Sequence, residues 1–395
     1  MMSSQSTSSA STKRCYLDHA ATSWPKPPGV VQACIDFQNN YGTSIGRSPT
    51  TVGLESLQLV QQTRALVARW IGAASGDCIA FTSNGTQALN ASLLGILQPG
   101  DHVVTSTAEH NSLLRPLASL QKHRNVSWTA VPVDSTGLVS ADAIASSIRP
   151  TTRLIAITHA SNVTGTIQPI ESIGQIAARH HIPFLVDAAQ TIGYIPIDVE
   201  HMKISLLAAP GHKGLGAMQG TGILYLHPSL GNVWNPPWIG GTGSESENID
   251  GPFPWNDALE SGNLNGPAIA SLHAGITWLF DQKLERLQDH WNSLLSHLLE
   301  CLTRDEFRII GPDRNGARVP VVSVVASSMG VQEWMTLLDS LGIETRAGFH
   351  CAGMIHKDLG TSASGGTLRF SLGHTSHLSD IVRLKETLDS ILGPS

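Results

Sequence analysis

The sequence predicts an α/β protein with an open, mostly parallel sheet, followed by a smaller α+β part. Between residues 78 and 226, short apolar runs alternate with helical segments. The runs are almost continuously apolar instead of alternating with polar residues, which is typical of strands buried on both faces. A segment rich in Pro, Gly and Trp at 231–266 ends this rhythm. Interleaved buried strands and helices therefore predict an open sheet covered on both sides by helices.

The predicted elements of the large part can be placed one after another along the chain. A helix at 86–97 follows the first strand, and a further segment from Ser112 follows the second. Ligands of open α/β sheets bind near the ends of the strands, so we expect a site in the loops that follow them. The predicted strands lie at 78–82, 102–106, 153–158, 183–187, 204–209 and 222–226.

The C-terminal part begins with a helix opened by Pro267. The next helix carries one apolar stripe, formed by Leu284, Leu287, Trp291, Leu294, Leu298 and Cys301. Strands near 319–325 and 367–372 and terminal helices complete this part. The predicted organisation is a disordered tail at 1–14, a large domain at 15–266 and a small domain at 267–395.

Composition excludes several classes of function. Only 14% of the 395 residues are charged, and 25 basic against 31 acidic residues give a net charge of −6. This balance argues against a nucleic-acid-binding footprint or a polybasic membrane patch, and no apolar run reaches the ~18 residues of a membrane span. Five cysteines without a C-x-x-C pair predict a reducing, cytoplasmic setting. The Ser-rich tail leaves a short transit peptide as an alternative.

Lys213 and Asp187 are the first candidate site residues. Lys213 lies in A-A-P-G-H-K-G, after an apolar strand and between glycines, an unusual environment for a surface ammonium group. Partial burial would lower its pKa, and a neutral amine can form a Schiff base with an aldehyde. Asp187 ends the strand P-F-L-V-D. It either caps the following turn or pairs with a cofactor nitrogen that must stay protonated.

The turn S-N-G-T-Q at 83–87 joins a strand to a helix and offers an anion site of backbone amides and the Thr86 hydroxyl. The same residue types are ordinary helix caps. His110 follows the next strand, and either faces solvent in a loop or stacks on a flat cofactor. The glycines of 214–220 resemble a dinucleotide fingerprint, but their strand follows instead of preceding them, which argues against a Rossmann oxidoreductase.

Cys351 differs from the other cysteines because it lies in a glycine-rich loop, R-A-G-F-H-C-A-G-M. A loop thiol beside His350 is a candidate nucleophile. A metal site that uses His350, Cys351 and His356 is the alternative, although a fourth ligand at regular spacing is missing. Arg369, in T-L-R-F-S, is either a surface residue or a clamp for a substrate carboxylate.

Together these residues resemble the class V aminotransferase superfamily, and within it the cysteine desulfurases near the SUF-type and selenocysteine lyase branch. The matching stretches run in order over about 15–385. They are Y-L-D-H-A-A-T-S-W-P-K-P (16–27), F-T-S-N-G-T-Q-A-L-N (81–90), A-E-H-N-S-L-L-R-P-L (108–117), T-H-A-S-N-V-T-G-T (158–166), V-D-A-A-Q (186–190), P-G-H-K-G (210–214), G-G-T-G-S (240–244), R-A-G-F-H-C-A (346–352) and T-L-R-F-S (367–371).

The resemblance implies a fold type I protein with a seven-stranded, mostly parallel sheet and pyridoxal 5′-phosphate as cofactor. Lys213 would hold the cofactor aldehyde, Asp187 would pair with the pyridine nitrogen, and His110 would stack on the ring. Gln190 and Asn162 would contact the phenolic oxygen, and Asn162 would also contact the substrate.

The phosphate would be bound by Thr86, the Gly85 amide and His212. Family members are homodimers with shared sites, so Thr242 would reach the phosphate in the neighbouring subunit. This chain has Pro210 where the family often has a serine, which removes one phosphate hydroxyl.

The reaction implied by the resemblance is conversion of L-cysteine to L-alanine. Arg369 would hold the substrate carboxylate, and Cys351 would take the sulfur as a persulfide for a protein acceptor. In the SUF-type enzymes a proline commonly follows the cysteine and its alanine, whereas this chain has Gly353 and Met354. The alternative is a selenocysteine lyase, or a lyase or aminotransferase for another amino acid. A non-enzymatic metal- or protein-binding module is the alternative from a different class.

Overall fold

The computed structural model describes residues 14–46, 49–231, 233–242, 249, 254–314 and 316–394. The predicted tail lies outside these residues except for Arg14, which forms an ion pair with Glu344. In chain order, the strands are β1 (Cys15–Tyr16), β2 (Ile79–Thr82), β3 (His102–Ser106), β4 (Ser127–Val131), β5 (Thr152–Thr158), β6 (Phe184–Asp187), β7 (Leu206–Pro210), β8 (Gly222–Leu226), β9 (Phe307–Ile310), β10 (Val321–Ala326), β11 (Ile343–Glu344), β12 (Arg346–Gly348) and β13 (Thr367–Ser371).

The helices surround these strands, with short 3₁₀ turns at Gly76–Cys78 and Pro228–Leu230. No described helix combines the length and apolar character that crossing a membrane requires. In chain order, the helices are α1 (Val30–Asn40), α2 (Thr51–Ile71), α3 (Gly85–Ile96), α4 (Asn111–Arg124), α5 (Ala141–Ser146), α6 (Ile170–Arg179), α7 (Trp255–Leu259), α8 (Gly266–Gln282), α9 (Leu284–Leu302), α10 (Val331–Ser340), α11 (Gly353–Asp358) and α12 (Leu378–Leu392).

The large sheet has the order β2-β8-β7-β6-β5-β3-β4 in the described chain. The strands from β7 to β4 pair in parallel, and β8 is antiparallel to both β7 and β2. This confirms the mostly parallel α/β sheet and all six predicted strands. Sequence analysis missed β4, because this edge strand is half-exposed along most of its length and lacks a continuous apolar run.

The C-terminal elements form an antiparallel sheet of order β12-β13-β10-β9. Its apolar face packs with α9, α10 and α12 in a separate core that includes Trp291, Trp334 and Leu384. Strand β1 pairs with β11, so the first described strand lies with the C-terminal elements. Helix α8, in contrast, packs against α1 and α2. The exact limit between the two domains stays a prediction.

Two helix N-termini lie where the large sheet presents the carboxyl ends of its parallel strands. Asn84 caps α3 by accepting the Gln87 backbone N–H at 2.9 Å. His110 caps α4 in the same way, through its ring and the Ser112 N–H. A side chain on Gly85 would meet Pro210 at 3.1 Å, so glycine lets α3 begin close to the end of β7 without a tight contact. These contacts place two helix N-termini beside the ends of β5, β6 and β7.

Several histidines are buried without charged partners. His19 is 2% exposed and His159 is 3% exposed. Burial lowers the pKa of His19 to about 3 and the pKa of His159 to about 4. An unfolded chain would bind protons on these rings near pH 6.5, whereas the folded chain binds them only at lower pH. Acidification therefore favours the unfolded state, and the stability that these neutral rings allow is lost as the pH falls below about 6.5.

We predict that His159→Gln weakens the dependence of stability on pH. Lowering the pH from 7 to about 5 should cost the wild type on the order of 2 kcal/mol through His159 alone, a contribution that glutamine removes. Urea unfolding at the two pH values measures this. His123→Gln, at an exposed position near the end of α4, is the matched control and should leave the dependence unchanged. An unaltered pH dependence in His159→Gln would contradict the prediction.

Candidate active site

A cavity of about 240 Å³ opens at the carboxyl ends of β5, β6 and β7. Its lining combines loops of the large sheet with Arg346 and Arg369 of the C-terminal antiparallel sheet. Thr242 lies outside this cavity in the same chain. The lining includes ten of the residues singled out from the sequence: Gly85, Thr86, His110, Asn162, Asp187, Gln190, His212, Lys213, Cys351 and Arg369.

Lys213 lies in a turn that only glycine can flank. A side chain on Gly211 would come within 2.3 Å of the Thr221 hydroxyl, and one on Gly214 would come within 2.1 Å of the Ile192 carbonyl. The turn is thereby pressed into the protein, and burial lowers the pKa of Lys213 to about 8. Roughly a tenth of the amine is then neutral at pH 7, which makes it a usable nucleophile or base.

Asp187 is 5% exposed at the end of β6 and faces the cavity. Its Oδ1 accepts the Ala189 backbone N–H at 2.9 Å. Burial raises the pKa of Asp187, while the Ala189 N–H and the charge of Lys213 act in the opposite direction. Asp187 can therefore cap the turn with one oxygen and still present its carboxyl group to a cofactor in the cavity, so the two roles predicted from the sequence are compatible.

Glu109 is a second buried carboxyl group near the site, and sequence reasoning overlooked it. Its Oε1 accepts the Ser106 hydroxyl at 2.6 Å and the Thr158 backbone N–H at 3.0 Å. Burial raises the pKa of Glu109 to about 8, and the charge of Asp187 adds to the shift. Glu109 is thus mostly protonated at neutral pH.

His110 is held in one orientation by the helix that it caps. Its Nδ1 accepts the Ser112 backbone N–H at 3.0 Å, and the Ser112 hydroxyl lies 2.7 Å from the same nitrogen. That hydroxyl also lies 2.8 Å from the hydroxyl of Thr86. Burial lowers the pKa of His110 to about 4, so the ring is neutral near pH 7. The sequence marked Ser112 only as the start of a segment and assigned it no role at the site.

The N-terminal segment after β1 forms another wall of the cavity. His212 Nδ1 lies 3.0 Å from the Thr22 hydroxyl, and the His212 carbonyl accepts from the Lys26 ammonium at 3.0 Å. Burial lowers the pKa of His212 to about 4. Gln190 donates its Nε2–H to the Ala20 carbonyl at 3.1 Å. These hydrogen bonds fix the segment around residues 20–26 against the loop that carries Lys213.

Arg369 lies on β13 and is 2% exposed, so it is not a surface residue. It donates to Asp18 Oδ1 at 2.6 Å and to the Asn162 carbonyl at 3.0 Å. Its Nε finds no partner among the described residues. Arg346, its neighbour across the β12–β13 pair, also borders the cavity. Asp18 and Arg346 were not picked out individually in the sequence, although both lie in stretches that carry the family resemblance.

The Cys351 side chain is exposed, and its loop is held from two sides. His350 and Cys351 have φ angles of 48° and 57°, a left-handed conformation that costs non-glycine residues roughly 1–2 kcal/mol each. The Cys351 carbonyl accepts the Asn111 backbone N–H at 2.7 Å. The His350 carbonyl accepts from the Asn162 amide at 2.6 Å. These anchors stabilise the strained loop and keep Cys351 at the cavity wall.

The other four cysteines lie in different environments. Cys78 and Cys301 are buried, whereas Cys34 is half-buried and donates to the Pro267 carbonyl. Cys15, which the sequence places at the border of the tail, is buried in β1. Burial raises the pKa of Cys15 to about 12. Cys351 is therefore the accessible thiol among the five, all of which lie in the described chain.

The alternative metal site finds no support in the described residues, where no group of three His, Cys, Asp or Glu side chains is placed to hold an ion. His350 directs Nε2 to the Thr367 carbonyl and hydroxyl, at 3.0 and 2.9 Å. His356 is buried with Nδ1 2.7 Å from the Thr361 hydroxyl. Each imidazole thus uses one nitrogen for a contact inside the protein, whereas Cys351 is exposed at the cavity wall.

Comparisons with known proteins cover nearly the whole chain. The family model described as aminotransferase class V matches residues 15–384. A probable cysteine desulfurase of Methanothermobacter thermautotrophicus is 33% identical over 385 residues, which are 96% of this chain and 94% of that protein. Two solved structures, each 28% identical and covering 96% of this chain and 94% of their own, are similar in fold. They are an apo cysteine desulfurase from Thermococcus onnurineus, with a TM-score of 0.90, and an S-sulfonic acid form of an Escherichia coli cysteine desulfurase, with a TM-score of 0.85.

We predict that a thiol-alkylating reagent modifies Cys351 much faster than the other four cysteines in the native protein. Exposure controls the access of the reagent, and buried thiols with raised pKa values are poor nucleophiles. Peptide mass spectrometry after brief treatment with iodoacetamide measures the sites. Denatured protein, in which all five should react, is the control. Rapid native labelling of Cys78 or Cys301 would contradict the assigned environments.

Proposed function

Because the chain belongs to the aminotransferase class V family, we propose that it is a pyridoxal phosphate-dependent cysteine desulfurase. It would convert L-cysteine to L-alanine and hold the released sulfur as a persulfide on Cys351. The observation that carries this proposal is the accessible Cys351 thiol on the wall of the same cavity as Lys213 and Asp187. Relatives named as cysteine desulfurases match over nearly the full length, in support of it.

The donor set of the cavity fits pyridoxal phosphate. Lys213 offers an amine with a lowered pKa for the aldehyde, and Asp187 is a buried carboxyl group with one oxygen committed to the turn. The start of α3, at Gly85 and Thr86, provides backbone N–H groups and a hydroxyl for a phosphate. When bound, this cofactor supplies an electron sink for the bonding electrons of the substrate α-carbon.

His110 and His212 are suited to neutral contacts with such a cofactor. Burial holds the pKa of each ring near 4, so neither brings a positive charge at neutral pH. We assign His110 to the face of the cofactor ring and His212, together with Thr86 and the Gly85 amide, to its phosphate. Gln190 and Asn162 are assigned to the phenolic oxygen, because both border the cavity and donate from side-chain amides.

Arg369 is the group that we assign to the substrate carboxylate. Three of its N–H directions remain after the bonds to Asp18 and Asn162, and Nε has no partner among the described residues. A carboxylate at this point would satisfy a buried guanidinium by charge-assisted hydrogen bonds. Asn162, whose carbonyl is bound to Arg369, also borders the substrate space.

Lys213 and Cys351 carry the proton and sulfur transfers in this proposal. The neutral Nζ of Lys213 removes the α-proton of the substrate. The Cys351 thiolate attacks the substrate sulfur, so that an S–S bond forms while the substrate Cβ–S bond breaks. The electron pair of the broken bond stays with the substrate Cβ, which takes up a proton. The α-carbon regains the proton that Lys213 removed, and the product leaves as alanine. No external oxidant is consumed, because the carbon is reduced as the sulfur is oxidised.

The proposal extends to the assembly and setting of the enzyme. We propose a cytoplasmic homodimer in which Thr242 contributes to the phosphate site of the neighbouring subunit, and a protein acceptor that removes the persulfide. Thr242 lies outside the cavity of its own chain, which is compatible with a role toward a partner.

We predict that the purified holoenzyme forms equimolar alanine and sulfide from L-cysteine and a reducing thiol. Cys351→Ser should lower alanine formation by about a hundredfold or more because it removes the nucleophile. Cys34→Ser is the matched control and should retain activity, since Cys34 does not line the cavity. The holoenzyme should be yellow and should lose this colour with borohydride, because the cofactor would be bound through the amine of Lys213. Lys213→Ala should lack the colour.

The same assay with L-selenocysteine tests the alternative of a selenocysteine lyase. Alanine release that survives Cys351→Ser would exclude the persulfide route. If it occurred with L-selenocysteine and not with L-cysteine, it would favour the lyase. A colourless protein unable to bind pyridoxal phosphate would overturn the whole proposal.

We predict that Asp18→Ala raises KM for L-cysteine about tenfold while kcat changes little, because the substitution removes one charge-assisted hydrogen bond to Arg369. Without this carboxylate, the guanidinium loses the acceptor that orients it toward the substrate. Asp18→Asn keeps an oxygen acceptor and should restore most of the affinity. Steady-state kinetics of the two variants measure the effect. A lower KM in both would mean instead that Asp18 competes with the substrate for Arg369.

A further inference from the structure

A groove of about 410 Å³ lies beside the Cys351 loop, between α4, β4 and α11. We call it the α4 groove, and define it by Leu114, Arg115, Ala118, Trp128, Met354 and Lys357. We propose that the α4 groove docks the thiol-bearing segment of the sulfur acceptor, and that this segment combines acidic and apolar side chains. This inference rests on the proposed function, because it concerns the partner that removes sulfur from Cys351.

The α4 groove adjoins the Cys351 loop, which also borders the cavity. Asn111, at the first turn of α4, borders the groove and donates its backbone N–H to the Cys351 carbonyl at 2.7 Å. On the other side, Gly353 and Met354 follow Cys351 directly and also border it. A segment seated here would therefore bring a thiol next to Cys351 without requiring the anchored loop to move.

The walls of the α4 groove suit an apolar anchor. Leu114 forms a buried part of the wall, and the Trp128 ring is half-exposed beside it. The Trp128 indole N–H donates to the Gln121 side chain at 3.1 Å, so the ring is held in place and its polar atom is already bound. Rigid aromatic and aliphatic surface of this kind is typical of the anchoring points of protein interfaces.

The charge around the α4 groove is positive in a chain whose net charge is −6. Arg115 and Lys357 are exposed at its edges. Helix α4 also carries Lys122 and Arg124, and its sequence from 111 to 124 contains no Asp or Glu. The acidic residue next to Lys357, Asp358, has Oδ2 bound to the Thr107 hydroxyl at 2.5 Å and to the Val133 N–H at 3.2 Å. The complementary partner is acidic, and opposite charges speed and orient such encounters.

The transfer from Cys351 to the acceptor is balanced without a further reagent. The acceptor thiolate attacks the outer sulfur of the Cys351 persulfide. A new S–S bond forms on the acceptor, the S–S bond at Cys351 breaks, and its electron pair stays on the Cys351 sulfur. The proton that the acceptor thiol released is taken up at the end by the Cys351 thiolate or by the new persulfide.

Two synthetic cysteine peptides of equal length serve as acceptor probes, one with Glu and Leu around the cysteine and one with Lys and Leu. We expect the wild-type holoenzyme at low salt to transfer sulfur to the acidic peptide with about tenfold higher kcat/KM. The preference should shrink as salt is added. In Arg115→Glu/Lys357→Glu, the ratio of kcat/KM for the acidic peptide to that for the basic peptide should fall to about one or below. Mass spectrometry of the peptide persulfides measures the transfer.

The control variant Arg286→Glu/Arg308→Glu makes the same change of net charge at exposed sites in α9 and β9, and should keep the wild-type preference. With dithiothreitol as acceptor, alanine formation should be equal in all three proteins, because neither pair borders the catalytic cavity.

Equal transfer to both peptides would overturn the docking proposal, and so would a preference for the acidic peptide that persists in Arg115→Glu/Lys357→Glu. In either case, normal alanine formation with dithiothreitol would leave the proposed function standing. Absence of alanine even with dithiothreitol would overturn the proposed function, and this inference with it. A drop in molecular mass in Arg115→Glu/Lys357→Glu by light scattering would identify the groove as a contact between copies of the chain, which also overturns the proposal.

Discussion

The ion pair between Arg369 and Asp18 is the contact on which the site depends. A guanidinium that is 2% exposed is costly to bury unless a carboxylate and hydrogen-bond acceptors surround it. Its acceptors come from the segment after β1 and from the loop after β5, at Asn162. The Asn162 amide continues the chain of hydrogen bonds to the carbonyl of His350. The requirement to compensate one buried charge thus joins the N-terminal segment, the large sheet and the Cys351 loop.

Burial also sets the protonation states around the cavity. It lowers the pKa of Lys213 to about 8 and the pKa values of His110 and His212 to about 4, and it raises the pKa of Glu109 to about 8. In each case the neutral form gains, because a charged group is poorly solvated inside a protein. The cavity therefore combines neutral rings, a partly neutral amine and Asp187, the arrangement that we propose for an electron-sink cofactor and its substrate.

Cys351 combines accessibility with a fixed position. It is exposed, whereas the backbone of His350 and Cys351 itself is held in a left-handed conformation by bonds from Asn111 and Asn162. Backbone strain of this kind persists only where the surroundings hold it, and it often occurs at functional sites. A fixed loop limits how far a persulfide could travel on its own. A partner that collects the sulfur must then bind next to the loop, and the α4 groove is the surface that we propose for this binding.

The sequence by itself determined the α/β class, the six apolar strands and ten of the residues that line the cavity. Apolar runs depend on local burial, and the motifs around Asp187 and Lys213 follow strand ends, so both are readable along the chain. The tertiary structure decided the rest. The sequence did not predict strand β4, because this half-exposed edge strand has no continuous apolar run. The Asp18–Arg369 pair was not predicted either, because its partners are 351 residues apart and meet only when β13 and the N-terminal segment pack together. Protonation states likewise came from the structure, since burial is a property of the packed chain and not of a residue type.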